Sequence, residues 1–373
     1  MQPLDLAIAG TRGVPACYSG FETFAEELGE RLTARGHRVT VYGRPAYVGR
    51  ERREYRGMQV VPLPTLPGKH LETPAHTLVS AFVALRARHD VVLICNAANA
   101  FAIPLFRLGG AQVAINVDGL DRERRKWGRL GKLWFRLGER LSLRFASQTV
   151  VDADYLQDYY RERYRAELPV IPYGGDRQGV PGPEAEVFSR YGLTPGSYAL
   201  VVGRLEPENN ALLVVEAYRR VKAEVPLVVL GDVPYASDYK AAVHAAAGPR
   251  VRLLGGVYGE DYLALQAHAS CYVAAGEVGG THPALVEAMC LGGVVVANDV
   301  VEHREVLGES ALYYPERDAG ALATALDAVL GDPELAGRLR QATQSRANER
   351  YSWEAVTTRY EELFARLAKS HSR

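Results

Sequence analysis

The sequence predicts an α/β protein built from two doubly wound, Rossmann-like domains, and three observations support this fold class. Short apolar runs typical of strands alternate with longer amphipathic segments along the 373 residues, as expected for parallel α/β architecture. The alternation starts again after Pro172 to Pro183, a stretch rich in glycine and proline that favours turns. The chain is also too long for one ordinary hydrophobic core. We therefore expect two open sheets with a linker between them.

Each half supplies its own set of strands. In the first half, strands are predicted at Leu4–Ala9, Arg38–Tyr42, Gln59–Pro62, Val91–Cys95, Gln112–Asn116, Thr149–Val151 and Pro169–Ile171. In the second half, they are predicted at Ala199–Val202, Leu227–Leu230, Val251–Leu254, Cys271–Val273 and Val294–Ala297. Beyond Asp318 the pattern is helical only, with Pro333 beginning one helix and Ser352 capping another.

Charge is distributed unevenly although the formal net charge is zero. Residues 1–176 hold 25 Lys and Arg against 19 Asp and Glu, and the remainder holds 19 against 25. The basic half is expected to meet an anionic partner. The four cysteines are widely scattered, which favours neither a zinc site nor a disulfide framework and fits a reducing cytoplasm. Neither a signal peptide nor a membrane-spanning run of about 20 apolar residues is expected.

A glycine-rich segment, GTRGVPACYSGFETF, follows the first predicted strand. Gly10, Gly13 and Gly20 allow close approach of a ligand, and the following helix would present its first N–H groups to an anion. The guanidinium of Arg12 suits a diphosphate. The spacing is not that of a nicotinamide fingerprint, and a tight turn closing strand on helix is the alternative interpretation.

Two segments of the second half favour phosphate and ribose binding. GRLEPENN places Arg204 at the carboxyl edge of a strand, where it would neutralise a leaving diphosphate or form a surface salt bridge. GGTHPALVEAM places a glycine-rich turn before an apolar helix predicted over Thr281–Cys290. Glu287 lies far enough into that helix to accept hydrogen bonds from a ribose diol. Stabilisation by the helix dipole is the alternative for Glu287, and helix capping for His282.

A basic amphipathic helix is predicted between Arg122 and Arg144, where nine Lys or Arg residues alternate with tryptophan, leucine and phenylalanine. Two interpretations stay open: a helix that rests on anionic lipid near the acceptor, or a packed helix with a solvated basic face. A single basic helix without a groove-reading or stacking motif does not favour nucleic acid. The residues expected at the membrane or the acceptor are Arg124, Arg125, Lys126, Trp127, Arg129 and Lys132.

Five segments in order, the three glycine-containing segments above together with NVDGLDRERRKWG and IPYGGD, resemble the family 4 retaining glycosyltransferases of GT-B fold. The likeness is to a bacterial subgroup that includes rhamnosyltransferases of surface polysaccharide assembly. It implies an acceptor-binding domain at 1–174, completed by a final helix at 353–373, and a nucleotide-sugar-binding domain at 175–352 across a cleft. It covers nearly the whole chain.

The resemblance also implies roles for single residues. Arg204 would hold the diphosphate, Glu287 the ribose, and Val257 the base. Asp118 stands where many relatives have an active-site histidine and would orient or deprotonate the acceptor hydroxyl as general base. A turn-forming aspartate before Gly119 is the alternative. The remaining residues expected to bind the donor are Arg12, Gly20, Gly280, Thr281 and His282.

Two positions depart from the broad family, which has a glutamate where Gly279 stands and a phosphate-binding lysine where Asn209 stands. We interpret both departures as altered recognition of the donor sugar. Asp152 to Asp154 forms one D-x-D string, typical of manganese-binding transferases. We favour an ordinary acidic helix start there, so no metal site is expected.

The predicted activity is metal-independent, cofactor-free transfer of a hexose or deoxyhexose, with L-rhamnose as one candidate, from a nucleotide diphosphate sugar to a lipid-linked or saccharide acceptor in cell-surface polysaccharide synthesis. Its expected location is the cytoplasm, with any membrane contact at the inner face of the cell membrane. A nucleotide-sugar epimerase of the same fold and a noncatalytic nucleotide-sugar-binding subunit are the alternatives.

Overall fold

The computed structural model describes residues 2–18, 20–66, 72–125, 127–176, 180–233 and 237–371. The chain divides into two compact units. The first unit holds residues 1–123, 127–173 and 353–373, and the second holds 124–126 and 174–352. The division at Tyr173 lies one residue before the boundary expected at 174, and the last helix belongs to the first unit. Lys126 lies outside the described residues.

The first unit is a seven-stranded sheet covered by helices. Its strands are β1 (Asp5–Ala9), β2 (Arg38–Gly43), β3 (Glu54–Tyr55), β4 (Met58–Pro62), β5 (Val91–Cys95), β6 (Gln112–Val117) and β7 (Gln148–Val151). Its helices are α1 (Gly20–Ala34), α2 (Pro45–Val48), α3 (Glu72–Ala87), α4 (Ile103–Leu108), α5 (Arg129–Phe145), α6 (Asp154–Tyr164) and, from the end of the chain, α15 (Trp353–His371). The strand order is β3-β4-β2-β1-β5-β6-β7.

The second unit is a six-stranded parallel sheet with its own helices. Its strands are β8 (Ala199–Val202), β9 (Leu227–Leu230), β10 (Val251–Gly255), β11 (Cys271–Ala274), β12 (Val295–Asn298) and β13 (Leu312–Tyr314). Its helices are α7 (Glu186–Tyr191), α8 (Ala211–Tyr218), α9 (Asp238–Ala246), α10 (Gly259–Ala267), α11 (Pro283–Cys290), α12 (Val301–Leu307), α13 (Ala319–Gly331) and α14 (Pro333–Arg350). The strand order is β10-β9-β8-β11-β12-β13.

Both sheets are buried on two faces. In β1, Leu6 and Ile8 point into one hydrophobic cluster while Ala7 and Ala9 point into another. This alternation follows from the two-residue period of a strand, and burial on both faces explains why parallel strands are continuously apolar. The strands of the second sheet are divided between two clusters in the same way. The doubly wound α/β architecture predicted from the sequence is confirmed.

Helix α15 is part of the core of the first unit. Tyr360 and Phe364 lie in the same buried cluster as α1, and the Glu361 carboxylate accepts hydrogen bonds from Arg35, at 2.5 Å, and from His37, at 3.1 Å. Burial favours the neutral acid, but these partners outweigh it and hold the pKa of Glu361 below its usual range.

A few predicted elements were wrong. Val170 forms only an isolated bridge to Val151, not the strand expected at Pro169–Ile171. The short strands β3 and β13 were not predicted, and α11 begins at Pro283, not Thr281. The D-x-D string does lie at an acidic helix start, as expected, with Asp154 the first residue of α6 and Ala153, not an aspartate, its N-cap.

Candidate functional site

The candidate site lies in the second unit where the strand order reverses. Strands β9 and β10 lie on one side of β8, whereas β11 lies on the other, and ligands of open α/β sheets bind beyond the carboxyl ends of strands at such a reversal. The loops there are Gly203–Asn210, after β8, and Ala275–His282, after β11. The Glu277 N–H donates to the Glu208 carbonyl at 3.0 Å. The sequence segments containing Arg204 and Glu287 therefore border one site.

The loop that carries Arg204 is a tight turn. The Arg204 carbonyl accepts hydrogen bonds from the side-chain amide of Asn209, at 2.8 Å, and from the Glu206 N–H, at 2.7 Å. At the end of the neighbouring strand, a Cβ on Gly231 would lie 2.0 Å from the Gly203 carbonyl oxygen. Asn209 thus stabilises the turn, and Arg204 is presented on a closely packed edge of the sheet.

Glu277 is held by several partners. Its carboxylate accepts hydrogen bonds from the Asn210 amide at 2.9 Å and from Arg317 at 3.1 and 3.2 Å, and it also pairs with Arg125. Burial favours the neutral acid, but Arg317, Arg125 and Asn210 outweigh it and hold the pKa of Glu277 below its usual range. Glu277 therefore serves to join the loops of the site.

The start of α11 faces the same crevice. His282 is the N-cap residue, with φ 52° and ψ 85°, and its carbonyl accepts from Leu285 and Val286 at 2.9 and 3.2 Å. Pro283 follows and has no N–H. Anion donors at this helix start must therefore come from the N–H groups of residues that flank Pro283, among them His282 and the buried Thr281.

The imidazole of His282 lies over the glycines of the preceding turn. A Cβ on Gly279 would lie 2.6 Å from Cε1 and 2.7 Å from Nε2 of that ring, and a Cβ on Gly276 would lie 3.3 Å from Cε1. The volume that a side chain at position 279 would need is therefore occupied by the ring. Gly280, the other predicted glycine, is buried beside them.

Glu287 and Val257 come from two further elements. Glu287 is half-buried on α11 and accepts a hydrogen bond from the Tyr262 hydroxyl of α10. Burial and the nearby Glu287 carboxylate raise the pKa of Tyr262 well above its usual value, so Tyr262 acts as a donor. Val257 follows β10 and packs against the core beneath it. Tyr262 orients Glu287 and was not predicted, since nothing in the sequence links two residues 25 positions apart.

The first unit has its own reversal, between β1 and β5, and its glycine-rich loop lies there. Asn99 is fully buried and donates to the carbonyls of Cys95, at 2.8 Å, and Gly10, at 3.4 Å. Gly10 has φ +87°, and a Cβ on it would lie 2.6 Å from the Cys95 oxygen and 2.7 Å from the Asn99 amide nitrogen. Glycine is thus required at position 10 by the packing of the turn.

Arg12 is held by groups of the first unit. Its backbone N–H donates to the Glu22 carboxylate at 2.8 Å, and its guanidinium carbon lies 3.4 Å from the centre of the Tyr18 ring and 5.2 Å from that of Tyr47. Burial opposes the charged form, but Glu22 and the two tyrosines outweigh it and raise the Arg12 pKa. Gly20 begins α1 after this turn. Arg12 and Gly20 belong to the first unit, whereas the other predicted donor-binding residues belong to the second.

Asp118 follows β6 at the carboxyl edge of the first sheet, where it is half-buried. Burial, together with the negative charge of Asp118, raises the pKa of the Cys95 thiol and of the Tyr173 hydroxyl well above their usual values. The carboxylate therefore lies among the strand ends of the first unit, near Cys95 and Tyr173.

The residues predicted at the membrane or the acceptor differ in their partners. The Arg124 guanidinium lies 3.6 Å from Glu208, and Arg125 pairs with Glu277. Trp127 packs against Phe135, with ring centres 5.4 Å apart. Arg129 and Lys132 lie exposed on α5, and Arg125 is exposed as well. That these residues meet a membrane or an acceptor stays a prediction, and Lys126 lies outside the described residues.

Comparison with known proteins shows which class of enzyme the chain belongs to. Residues 196–332 match the family described as "Glycosyl transferases group 1", and residues 19–174 match the "Glycosyl transferase 4-like domain". The chain is a glycosyltransferase with two Rossmann-like domains. It belongs to the group 1, family 4-like glycosyltransferases of GT-B fold.

Two relatives of this chain are mannosyltransferases. It is 26% identical over 391 aligned positions to a GDP-mannose-dependent alpha-(1-6)-phosphatidylinositol monomannoside mannosyltransferase of Mycolicibacterium smegmatis, covering 95% of this chain and 97% of the relative. It is 29% identical over 183 positions to the O-antigen chain mannosyltransferase B of Escherichia coli, covering 46% of each.

Solved structures share the fold. A sucrose-phosphate synthase of Thermosynechococcus elongatus superposes with a TM-score of 0.82 at 21% identity, covering 99% of this chain and 100% of that one. Anabaena HepE in complex with UDP-glucose superposes with a TM-score of 0.78 at 16% identity, covering 97% and 99%.

Proposed function

We propose that the protein transfers a hexose or deoxyhexose from a nucleotide diphosphate sugar to a lipid-linked or saccharide acceptor of the cell surface. The observation that carries the proposal is the crevice between β8 and β11, where Arg204, the start of α11 and Glu287 border one site. A cation, a helix N-terminus and a ribose-binding carboxylate are the groups that a nucleotide diphosphate needs.

Departure of the nucleotide diphosphate builds negative charge on the leaving phosphate and positive charge on the anomeric carbon. In the proposed mechanism Arg204 and the start of α11 stabilise the leaving group, because fixed positive groups lower the free energy of a transition state in which charge separates. Asp118 accepts the proton of the acceptor hydroxyl. Retention of the anomeric configuration and independence of metal belong to this proposal and rest on the family resemblance.

The donor is proposed as a chemical class, a nucleotide diphosphate sugar, with the base and the sugar left to experiment. One relative is GDP-mannose-dependent, a neighbour in fold was solved with UDP-glucose, and the resemblance of the motifs favours L-rhamnose on deoxythymidine diphosphate. Thermal unfolding with UDP, GDP, ADP and dTDP identifies the nucleotide. Turnover of its sugar derivatives then identifies the sugar.

Arg204→Ala tests the site. We expect the nucleotide that raises the unfolding temperature of the wild type to leave that of Arg204→Ala unchanged, and sugar transfer to fall at least 100-fold. Arg338→Ala, at an exposed position on α14 of the same unit, is the matched control and should behave as wild type. An undiminished response of Arg204→Ala would place the diphosphate elsewhere. Turnover abolished by a chelator and restored by manganese would contradict metal independence.

Helix α5 supports peripheral contact with a membrane. Phe135, Gly138, Glu139 and Ser142 form its buried face. Three of its leucines lie outside that face, with Leu130 84%, Leu133 61% and Leu137 43% exposed. At 100° per residue these three positions share one stripe. These three leucines are therefore not used by the core of the unit. A packed helix with only a solvated basic face would not leave them exposed.

Positive charge borders this apolar stripe. Arg129, Lys132, Arg136 and Arg140 are exposed along one side of it. An apolar stripe flanked by cations is the pattern of a helix that lies in the interface of an anionic bilayer. The described part of the chain contains no helix long and apolar enough to span a bilayer.

Flotation with vesicles tests this contact. The wild type should float with vesicles of phosphatidylglycerol and phosphatidylethanolamine, less so as salt rises, and Leu133→Glu should lose most of this binding. Val301→Glu, which alters an exposed valine on α12, is the control and should bind as wild type. Equal binding to vesicles of neutral lipid alone would contradict the proposal.

A further inference from the structure

The side chain of His282 occupies an unusual position in the site. Its ring fills the space beside Gly276 and Gly279, where Cβ atoms would lie 3.3 and 2.6 Å from Cε1. Ala at either position would push against the imidazole, because 3.4 Å is about the shortest comfortable carbon–carbon contact. The glycines of this turn therefore make room for the His282 ring.

The ring contains a buried polar atom, Nε2. Nε2 of His282 is buried and hydrogen-bonds to none of the described residues. Leaving a buried polar group unsatisfied destabilises the folded state, and the backbone at His282 is also left-handed, with φ 52°. Unsatisfied groups on strained backbone concentrate at functional positions. A ligand that bonds Nε2 would recover the cost.

The ring is held in its neutral form. Burial, the neighbouring His303 and Arg124 keep the pKa of His282 well below its usual value. The two imidazoles lie 5.1 Å apart, centre to centre. His303 lies with Nδ1 2.9 Å from the Asn298 carbonyl, and burial lowers its pKa to about 4. A neutral imidazole has one nitrogen that donates and one that accepts, which matches a hydroxyl group.

We propose that the imidazole of His282 hydrogen-bonds a hydroxyl of the donor sugar and so determines which sugars the site accepts. The inference rests on the proposed function, since it assumes a nucleotide sugar with its diphosphate at the start of α11. Gly279 lies beside Nε2, so no side chain at position 279 stands between the ring and a bound sugar. The neutral ring recognises the hydroxyl without adding charge beside the anomeric carbon.

His282→Ala, His282→Asn and the control His244→Ala test the inference, because His244 is exposed on α9 of the same unit. Affinity for the free nucleoside diphosphate should stay within about twofold in all three variants. For sugar transfer, kcat/KM should fall at least 10-fold in His282→Ala and recover in part in His282→Asn, as expected for loss of one hydrogen bond to a substrate hydroxyl.

A pair of donors whose sugars are epimers tests directly whether His282 determines sugar specificity. The ratio of kcat/KM between GDP-mannose and GDP-glucose, or the same sugars on the nucleotide that binds, should shrink at least fivefold in His282→Ala. An unchanged ratio would overturn the inference. So would equal losses for the free nucleoside diphosphate and the nucleotide sugar. A wild type that binds no nucleoside diphosphate would instead contradict the proposed function, before any variant is compared. If His282→Ala fails to fold, the same comparisons are made with His282→Asn.

Discussion

Both units contain a glycine-rich turn that leads into a helix, but the turn has a different role in each unit. In each, a glycine-rich turn follows a strand at the reversal of strand order and leads into a helix. In the first unit the turn is closed by the buried Asn99, and Arg12 lies on tyrosine rings with its backbone bonded to Glu22. In the second unit the His282 ring lies over the turn, and its buried nitrogen has no hydrogen-bond partner among the residues that the structure describes.

This difference shows that a glycine-rich turn before a helix does not by itself indicate ligand binding. Gly10 is required because backbone and a buried amide pack against it, whereas Gly279 makes room for a side chain. We expect the first turn to serve mainly the fold and the second mainly the ligand. Matched substitutions in the two turns test this distinction.

The largest contrast is expected between Gly10→Ala and Gly279→Ala. Gly10→Ala combines positive φ with overlap against backbone, so the free energy of unfolding of the first unit should fall by about 2–4 kcal/mol. Gly279→Ala displaces a side chain at an ordinary φ and should cost less than about 1 kcal/mol, while sugar transfer falls at least 10-fold. Urea unfolding and turnover measure the two effects.

The comparison would be broken by equal losses of stability in both variants. It would also be broken if Gly279→Ala transferred sugar as fast as wild type, because the position of the His282 ring would then be irrelevant to turnover.

A smaller contrast is expected between the glutamates that follow the two turns. Glu22→Gln weakens the bond to the Arg12 N–H and should lower the free energy of unfolding by about 1 kcal/mol, with nucleotide affinity unchanged within twofold. Glu287→Gln should retain the unfolding free energy and lower nucleoside diphosphate affinity about 10-fold, since a carboxylate accepts from a diol more strongly than an amide. Titration calorimetry measures the nucleotide affinity of each variant, and urea unfolding measures its free energy of unfolding. Loss of nucleotide affinity in Glu22→Gln would reverse the assignment of the two turns.

The smallest expected effect concerns the hydroxyl that orients Glu287. Tyr262→Phe removes the donor to that carboxylate and should weaken nucleoside diphosphate binding two- to fivefold through loss of orientation. Tyr239→Phe, which alters the acceptor of the Leu212 N–H on α8, is the control and should leave nucleotide affinity unchanged. Equal affinities of wild type and Tyr262→Phe would show that Glu287 needs no orienting partner.

The sequence predicted the fold well because short apolar runs alternate regularly with longer amphipathic segments along the chain. Strands of four to six residues such as β5 and β8 carry a continuous apolar signal. Strand β13 has three residues, too few for a period to be visible, and β3 has two. The start of α11 was placed two residues early because His282 has left-handed backbone, which a sequence pattern does not reveal.

The site was predicted in part. The sequence identified the segments around Arg204 and Glu287, because glycines and charges at strand ends are local signals. It did not predict that Tyr262 bonds Glu287, or that His303 packs on His282, since these partners meet only through the tertiary fold. Nor could it show that Arg124 and Arg125 pair with Glu208 and Glu277.

A crystal structure with the nucleotide sugar tests the central claim most directly. We predict that the diphosphate lies at the start of α11 beside the Arg204 guanidinium, the ribose on Glu287, and a sugar hydroxyl within hydrogen-bonding distance of the His282 ring. A diphosphate bound instead at the Gly10 to Gly20 turn of the first unit would contradict the account.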